Sequence, residues 1–548
     1  MIALTPVAAT ALGDHRFDGQ LDDIGPTARS ERASLARSLL GELSAIDREQ
    51  LSRAHQVDAA LLRNDLEYRL WRIDKLQDWR WDPLLYTDLA GNGLYLLVAR
   101  DFAPLPVRLD DAASRLEQLP RLLDQERDTL VPERVPRIFA ETAVKQNPGV
   151  LSIIDQLIEP HLDALPEADR KRLKSAIERA RTAVLQQQIW LEKRLLPAAH
   201  GDFRLGAALY DQKLRFELDS SLSRQEIRAR AEAELTRTRA QMYEIARRVL
   251  GARPGAPALP DAPAPDQQQT AIEAALELAY ADQPKRSEVF ETAKQAFAQA
   301  EAFVRRKDLV TIYPDPLEII PMPQFARGVA LAYTDAPGPL DKGLKTFYAV
   351  APIPDDWTDE QVRSYLREYN RRAIHELTIH EAMPGHYVQL AHADRYPSPL
   401  RAVLQSNTFI EGWAVYAERL MREQGYMGGD PLMQLIQLKW YLRSVANAIL
   451  DQAVHVDGIS REAAMRLMVH DTFQEQSEAA AKWTRVELTS AQLATYFVGL
   501  QEHLDLRAEA EQRWGQAFTL KRYHDAVLSF GSPPVKYVRA LLFDLPIP

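Results

Sequence analysis

The stretch His375-Glu-Leu-Thr-Ile-His380-Glu381-Ala-Met-Pro384-Gly385-His386-Tyr387 carries two closely spaced imidazoles and a carboxylate at the end of a predicted helix. Thr358, with Gln361 three residues later, has the capping-box spacing that begins a helix. Apolar residues then recur at helical spacing as far as Leu377, and the same face continues to His380. We therefore expect one long helix that ends with His380 pointing inward.

The spacing of the two histidines requires a break in this helix. In the common zinc-peptidase pattern H-E-x-x-H, two histidines four residues apart share a helix face and hold one ion. Here His386 follows His380 by six residues, which turns a helix by about 240° and points the side chains apart. Pro384 has no N–H and its ring opposes the carbonyl of His380, while Gly385 reaches backbone angles closed to other residues. A kink at this pair is predicted to bring His386 back beside His380.

A second amphipathic helix is predicted downstream, from the apolar spacing of Phe409, Trp413, Tyr416 and Leu420. Glu411 lies at its start, 25 residues after His386, which leaves room for an antiparallel return to the histidine pair. Two imidazoles and one carboxylate with an open position for water are typical of a catalytic zinc. The predicted zinc ligands are therefore His380, His386 and Glu411. The alternative is that the histidines are ordinary helix-end residues and that Glu381 is solvated.

These segments resemble the bacterial DUF885 family, whose pattern is H-E-x-x-P-G-H-H followed by E-G-W with a Tyr and a Glu downstream. The two specific matches are residues 380–386 and 411–418. Weaker similarities cover nearly the whole chain, at residues 11–18, 451–455, 496–499, 506–507 and 523–534. Tyr387 departs from the pattern, because the family usually has a second His there. The resemblance implies an all-helical, gluzincin-like fold with a cleft and zinc-dependent hydrolase activity, in which Glu381 is the general base.

Four further residues are candidates for contact with the substrate. One face of a predicted helix carries, at intervals of four, three and four residues, Tyr496, Leu500, His503 and Arg507. If this face lines the cleft, Tyr496 stabilises the oxyanion and Arg507 clamps a substrate carboxylate. His455 and His524, from segments that resemble the family, are further candidates for stabilising the oxyanion. Simple core packing is the alternative for the whole set.

The expected fold is mainly α, with long helices in two lobes around a deep cleft and a small antiparallel β-sheet near the active site. Residues 1–250 are predicted to form an N-terminal helical lobe, with helices at 29–56, 166–195 and 223–250. The proline-rich segment 251–270 is a predicted surface loop, which either separates the lobes or joins two helices. Residues 271–548 are the predicted catalytic lobe, with metal helices at about 359–425 and C-terminal helices.

The predicted sheet lies between about residues 308 and 353, just before the metal helices. Its strands are expected at 309–313, 317–320, 328–333 and 346–350, where β-branched and aromatic residues alternate with Pro and Gly. An exposed edge strand at this place would suit a peptidase, because it can pair with the backbone of an extended substrate. A purely structural sheet is the alternative.

Composition narrows the class of protein. The 548 residues include no cysteine, which excludes disulfides, thiol catalysis and a cysteine-based metal site. The net charge of −10 argues against nucleic acid or an anionic membrane as the partner. No apolar stretch approaches the ~20 residues of a transmembrane helix. The start of the chain lacks a basic segment and a long apolar run, so we expect a cytoplasmic chain, or a periplasmic or secreted one after removal of a signal peptide.

Together these features predict a Zn2+-dependent hydrolase, most simply a metallopeptidase that acts on small or extended peptides as a monomer or homodimer. A metal-dependent amidase or esterase with a non-peptide substrate uses the same residues and stays open. A non-catalytic helical scaffold, in which the histidines and carboxylates satisfy one another in the core, is a second alternative.

Overall fold

The computed structural model describes residues 1–251, 253–322 and 332–548. As predicted, these residues are mainly helical, and they form two compact units. The first unit comprises Met1–Phe203 and Pro337–Lys345, and the second comprises Arg204–Ala336 and Thr346–Pro548. Among the described residues, no helix combines the length and the apolar character needed to cross a membrane.

The helices of the first unit are α1 (Pro6–Ala11), α2 (Pro26–Ala45), α3 (Arg53–Trp71), α4 (Leu84–Val98), α5 (Leu105–Thr129), α6 (Arg137–Gln146), α7 (Pro148–Ile153), α8 (Glu167–Trp190) and α9 (Leu196–Ala198). Helix α8 matches the predicted helix 166–195, which continues as a π turn over Leu191–Leu195. The predicted helix 29–56 is instead divided into α2 and α3. The break follows from Ile46, whose backbone is extended, and from Ser52, whose hydroxyl accepts the N–H of His55 and begins α3.

The helices of the second unit are α10 (Gly206–Leu218), α11 (Arg224–Leu250), α12 (Pro265–Tyr280), α13 (Val289–Lys307), α14 (Asp359–Glu368), α15 (Arg371–Glu381), α16 (His386–Ala393), α17 (Pro399–Val403), α18 (Asn407–Glu423), α19 (Pro431–Gln452), α20 (Arg461–Arg466), α21 (Gln476–Leu488), α22 (Ala494–Trp514), α23 (Leu520–Leu528) and α24 (Val535–Leu542). The predicted helix 223–250 corresponds to α11, which a capping box at Ser223 and Glu226 begins.

The boundary between the units lies at Phe203/Arg204 and not in the segment 251–270. Helix α11 belongs to the second unit because it shares an apolar core with α12 and α19. The buried residues of this core include Met242, Ile272, Leu276, Leu435 and Leu442. The proline-rich segment therefore joins two helices of one unit and does not separate the lobes.

A three-stranded sheet is present in the described part of the second unit: β1 (Leu317–Pro321), β2 (Ala332–Asp335) and β3 (Thr346–Val350), in the order β1-β3-β2. Strand β1 runs parallel to β3, and β2 runs antiparallel to β3. The predicted sheet was antiparallel, but the observed sheet is mixed, because β1 and β2 flank β3 and only β2 runs antiparallel to it. Residues 328–331 of one predicted strand lie outside the described residues. The predicted strand 309–313 is not part of the sheet, and the N–H of Thr311 is used by the Asp525 carboxylate.

The single helix predicted before His380 is divided into α14 and α15. Tyr369 leaves the helical conformation, and the Asn370 side chain accepts the N–H groups of Arg372 and Ala373 at 3.1 and 3.2 Å. The same side chain donates to the carbonyl of Arg367. Asn370 thus closes one helix and caps the next, so that α15 begins only nine residues before His380.

Helices α18 and α22 cross with their backbones in contact. A Cβ built on Gly412 of α18 would lie 2.4 Å from the carbonyl carbon of Gly499 on α22. A Cβ built on Gly499 would lie 2.0 Å from the carbonyl oxygen of Thr408. Only glycine allows this approach. Since Glu411 precedes Gly412, and Tyr496 lies one turn before Gly499, the crossing brings these two side chains to the same region.

Replacing Gly412 by Ala is therefore expected to destabilise the protein. The new Cβ would meet main-chain atoms that cannot rotate away, and overpacking of this kind typically costs about 1–3 kcal/mol. The free energy of unfolding, from urea denaturation followed by circular dichroism, measures the loss. Gly41→Ala in α2 is the control, because no atom lies within 4 Å of its Cβ position and Ala favours a helix interior by about 0.8–1.0 kcal/mol. Equal stability of Gly412→Ala and the unmodified chain would contradict the close crossing.

Candidate metal centre

The chain breaks between α15 and α16, and the break brings His386 beside His380. Helix α15 ends at Glu381, the Met383–Pro384 peptide bond is cis, and the Gly385 N–H donates to the carbonyl of Ile379 at 2.9 Å. A Cβ on Gly385 would lie 1.8 Å from the carbonyl oxygen of His380, so glycine is required here. The two imidazole centroids are 4.8 Å apart, with the rings nearly perpendicular.

Helix α18 holds this break in place. The buried indole of Trp413 donates from Nε1 to the carbonyl oxygen of Pro384 at 2.9 Å. Glu411 lies two residues earlier on the same helix. One turn of α18 therefore supplies a carboxylate to the site and also fixes the loop that carries His386.

The side chains of His380, His386 and Glu411 converge on one point. Glu411 Oε2 lies 3.6 Å from His380 Nε2 and 3.5 Å from His386 Nε2, and the ligand atoms of all three residues lie within 4.8 Å of one another. Tetrahedral zinc with bonds of about 2.0–2.1 Å separates its ligand atoms by roughly 3.3 Å. As whole side chains the three residues are only partly buried, but Glu411 Oε2 itself is buried.

The electrostatics of the three residues also suit a cation. Glu411 Oε2 is buried and has no hydrogen-bond partner among the described residues. Burial opposes the charge of this carboxylate, but its interactions with His380 and His386 hold its pKa well below the usual range. A buried, ionised oxygen without a donor is strongly disfavoured unless a positive charge lies close to it. The residues present therefore fit a zinc ion.

Glu418 orients His380 from behind. Its Oε1 lies 2.6 Å from His380 Nδ1, which directs Nε2 of the ring toward the site. Carboxylates commonly fix metal-binding histidines in this way. This role of Glu418 was not predicted from the sequence, although Glu418 follows Glu411 by seven residues and therefore shares its helix face. His386 Nδ1, in contrast, has no partner among the described residues.

Glu381, the predicted general base, is held by strand β2. The backbone N–H of Thr334 donates to Glu381 Oε2 at 2.9 Å, and its hydroxyl lies 2.5 Å from the Glu381 carbonyl oxygen and 3.0 Å from Oε2. Among the described residues, no hydrogen bond is formed by Oε1. One carboxylate oxygen is thus fixed, and the other is left to accept a proton. Thr334 lies 47 residues before Glu381, so no local sequence pattern connects the two.

Tyr496, a predicted contact of the substrate, lies beside the candidate metal centre. Its ring stacks near His380, with 6.5 Å between the centroids. Burial first, and then the charge of Glu411, raise the pKa of Tyr496, so the phenol keeps its proton at neutral pH. The hydroxyl oxygen accepts a hydrogen bond from Arg485 Nη2 at 3.2 Å. The phenolic hydrogen is thereby left for another acceptor.

The other three candidates make internal contacts in place of the predicted ones. Arg507 pairs with Glu423 and Glu511, so its guanidinium is not left for a substrate carboxylate. The two ring nitrogens of His524 bond to the Leu309 carbonyl and the Tyr416 hydroxyl. Nε2 of the buried His455 lies within hydrogen-bond distance of the carbonyls of Val486 and Thr489. Burial lowers the pKa of both histidines. Sequence spacing and the family resemblance made these residues candidates but could not show that Arg507 and His524 are already paired and that His455 lies against two backbone carbonyls.

Comparisons with known proteins agree with this architecture. The profile of the DUF885 family, "Bacterial protein of unknown function", matches residues 6–542. A solved structure of "a putative lipoprotein of unknown function from Shewanella oneidensis" is 31% identical, with a TM-score of 0.83, over 99% of this chain and 97% of that one. A "putative lipoprotein from Colwellia psychrerythraea" is 18% identical, with a TM-score of 0.81, over 99% and 96% of the two chains, and supports the fold alone. Among curated proteins, none matches the chain.

Replacing Glu418 by Ala is expected to weaken zinc binding without unfolding the site. Loss of a carboxylate that orients a metal-binding histidine typically lowers metal affinity about 10- to 100-fold. Competition with a chromogenic chelator measures the zinc affinity of each purified variant. Glu423→Ala is the matched control, because Glu423 lies on the same helix but pairs with Arg419 and Arg507. Equal zinc affinities for the two variants would show that Glu418 does not support the centre.

Proposed function

The chain belongs to the DUF885 family, and from this premise we propose that it is a zinc-dependent hydrolase, most simply a metallopeptidase that acts on small or extended peptides. The observation that carries the proposal is the convergence of the ligand atoms of His380, His386 and Glu411 to within 4.8 Å of one another, with Glu381 next to His380 in the chain and held by Thr334. A zinc ion held by these three ligands would supply a Lewis acid and lower the pKa of a water molecule toward ~7.

Glu381 is the proposed general base. Since Thr334 fixes one carboxylate oxygen, the other is positioned to accept a proton from the attacking water. The same carboxyl group then passes this proton to the nitrogen of the leaving amine. The peptide C–N bond breaks, the acyl carbon gains the hydroxyl of water, and the amine gains the proton.

Tyr496 is the proposed donor to the oxyanion. Its raised pKa keeps the phenol protonated, and the hydrogen bond from Arg485 occupies its oxygen as an acceptor. The phenolic hydrogen can therefore be directed to the carbonyl oxygen of the substrate, where negative charge develops during attack.

Strand β2 supports a peptide substrate over other amides and esters. Among the described residues, β2 has a strand partner only on the β3 side, and it carries Thr334, which contacts the general base. An extended peptide that lies beside β2 would present its backbone to Glu381, while the Thr334 N–H on this edge stays bonded to that carboxylate.

We also propose that the protein acts outside the cytoplasm. The support is the 31% identical relative from Shewanella oneidensis, which is described as a "putative lipoprotein". Cell fractionation with an antibody against the chain tests this location. Recovery in the periplasm or with the envelope is expected, and recovery with the cytosolic proteins would contradict it.

Elemental analysis and a cleavage screen test the function. We expect about one zinc per chain, and hydrolysis of members of a mixed peptide library, read by mass spectrometry. A zinc-loaded chain that cleaves no peptide but hydrolyses amides or esters of other kinds would favour the wider hydrolase class. A chain that binds no zinc, even after zinc is added back, would favour the helical scaffold.

Glu381→Gln is expected to retain zinc and to lose at least about 100-fold in kcat, because the general base contributes about 10²- to 10⁴-fold. His386→Ala is expected to lose both zinc and activity. Zinc content and kcat on the best library substrate check both variants. Glu360→Gln, an exposed residue of α14, is the control and should change neither quantity. Full activity of Glu381→Gln would contradict the assigned role.

A further inference from the structure

Arg485 is a positive charge at the edge of the proposed active site. It lies on α21, its side chain is exposed, and its Nη2 donates to the hydroxyl of Tyr496 at 3.2 Å. Tyr496 in turn lies against His380. Arg485 is therefore two contacts away from a metal ligand, on the solvent side.

The hydrogen bonds of Arg485 go to neutral groups only. Nη2 also donates to Gln492 Oε1 at 3.0 Å, and the guanidinium carbon lies 6.0 Å from the Tyr496 ring centroid. No described carboxylate forms an ion pair with Arg485. A guanidinium has five N–H donors, so Nε and Nη1 are left for a ligand or for water.

Other cations near the site differ in this respect. Arg507, which sequence spacing had suggested for binding a substrate carboxylate, is paired with Glu423 and Glu511. Lys482, on the same helix as Arg485, is buried, and burial with the nearby charge of Arg443 lowers its pKa well below the usual value. In this part of α21, Arg485 is therefore permanently charged and also has N–H donors that no described protein group uses.

The distance between Tyr496 and Arg485 limits what can bind. In the proposed function, Tyr496 donates to the carbonyl oxygen that is attacked. A group that binds Arg485 must then lie close to that carbonyl in the substrate. Consecutive Cα atoms are about 3.8 Å apart, so the carboxylate of the residue that follows the scissile bond lies within this short reach.

We propose that Arg485 binds the free C-terminal carboxylate of a peptide substrate and so directs hydrolysis to the last peptide bond. This inference rests on the proposed function. The guanidinium suits a carboxylate because its planar donors match the two carboxylate oxygens. Hydrolysis of that bond adds the hydroxyl of water to the penultimate acyl carbon and a proton to the amine, which releases one free amino acid.

Two forms of one peptide library test the proposal. N-acetylated tetrapeptides are prepared once as free acids and once as C-terminal amides, and kcat/KM for each form is measured by mass spectrometry. The unmodified chain is expected to prefer the free acids by about 10- to 100-fold, the range for a hydrogen bond to a charged group. Arg485→Gln is expected to lose this preference through a higher KM for the acids, and Arg485→Lys to keep part of it. Arg513→Gln, an exposed arginine of α22 that pairs with Glu509, is the matched control.

A binding measurement separates failure of this inference from failure of the proposed function. Both library forms are passed over the immobilised zinc-loaded Glu381→Gln chain and over the corresponding double variant with Arg485→Gln. Retention of the free acids that depends on Arg485 would support the inference, even if no peptide is cleaved. Equal retention or equal cleavage of acids and amides would overturn it, and so would retention of neither form. An equal loss of kcat on acids and amides in Arg485→Gln would show that Arg485 only positions Tyr496.

Discussion

The site depends on the contact between the backbones of α18 and α22 at Gly412 and Gly499. No side chain fits between the two glycines, so the helices approach as closely as the main chain allows. Glu411 precedes one glycine, and Tyr496 lies one turn before the other. A single close crossing therefore brings the proposed metal ligand Glu411 and the proposed oxyanion donor Tyr496 together. The sequence patterns E-G-W and Y-x-x-G are two halves of this one contact.

Helix α18 also determines the position of the second histidine. Trp413 has no proposed part in the chemistry, but its indole N–H donates to the Pro384 carbonyl and keeps the α15–α16 break in place. Glu418, two turns after Glu411, orients His380. These residues of one helix place a polar cluster inside a largely apolar core: Glu418 partners His380, and the buried Oε2 of Glu411 faces both imidazoles, where the proposed cation would lie.

The sequence predicted what depends on local chemistry and short periodicity. The helical class, the capped start of α14 at Thr358 and the break at Pro384 and Gly385 follow from proline, glycine and capping residues. The division between α14 and α15 was missed, because the apolar stripe continues across Asn370 while its side chain caps a new helix. Contacts between distant segments were beyond reach: the bond from Thr334 to Glu381 and the bond from Arg485 to Tyr496 join residues without any shared pattern. Arg507 was predicted to bind substrate but pairs with two glutamates, because residue spacing alone does not show whether a cation is free or already in an ion pair.

We propose that His380, His386 and Glu411 hold one zinc ion, and X-ray absorption at the zinc edge of the purified, full chain is the decisive measurement. The predicted result is a first shell of nitrogen and oxygen atoms at about 2.0–2.2 Å, with the outer-shell scattering of two imidazoles, reduced to one in His380→Ala if any zinc is retained. A shell without imidazole scattering, or a chain that takes up no zinc on reconstitution, would contradict the claim.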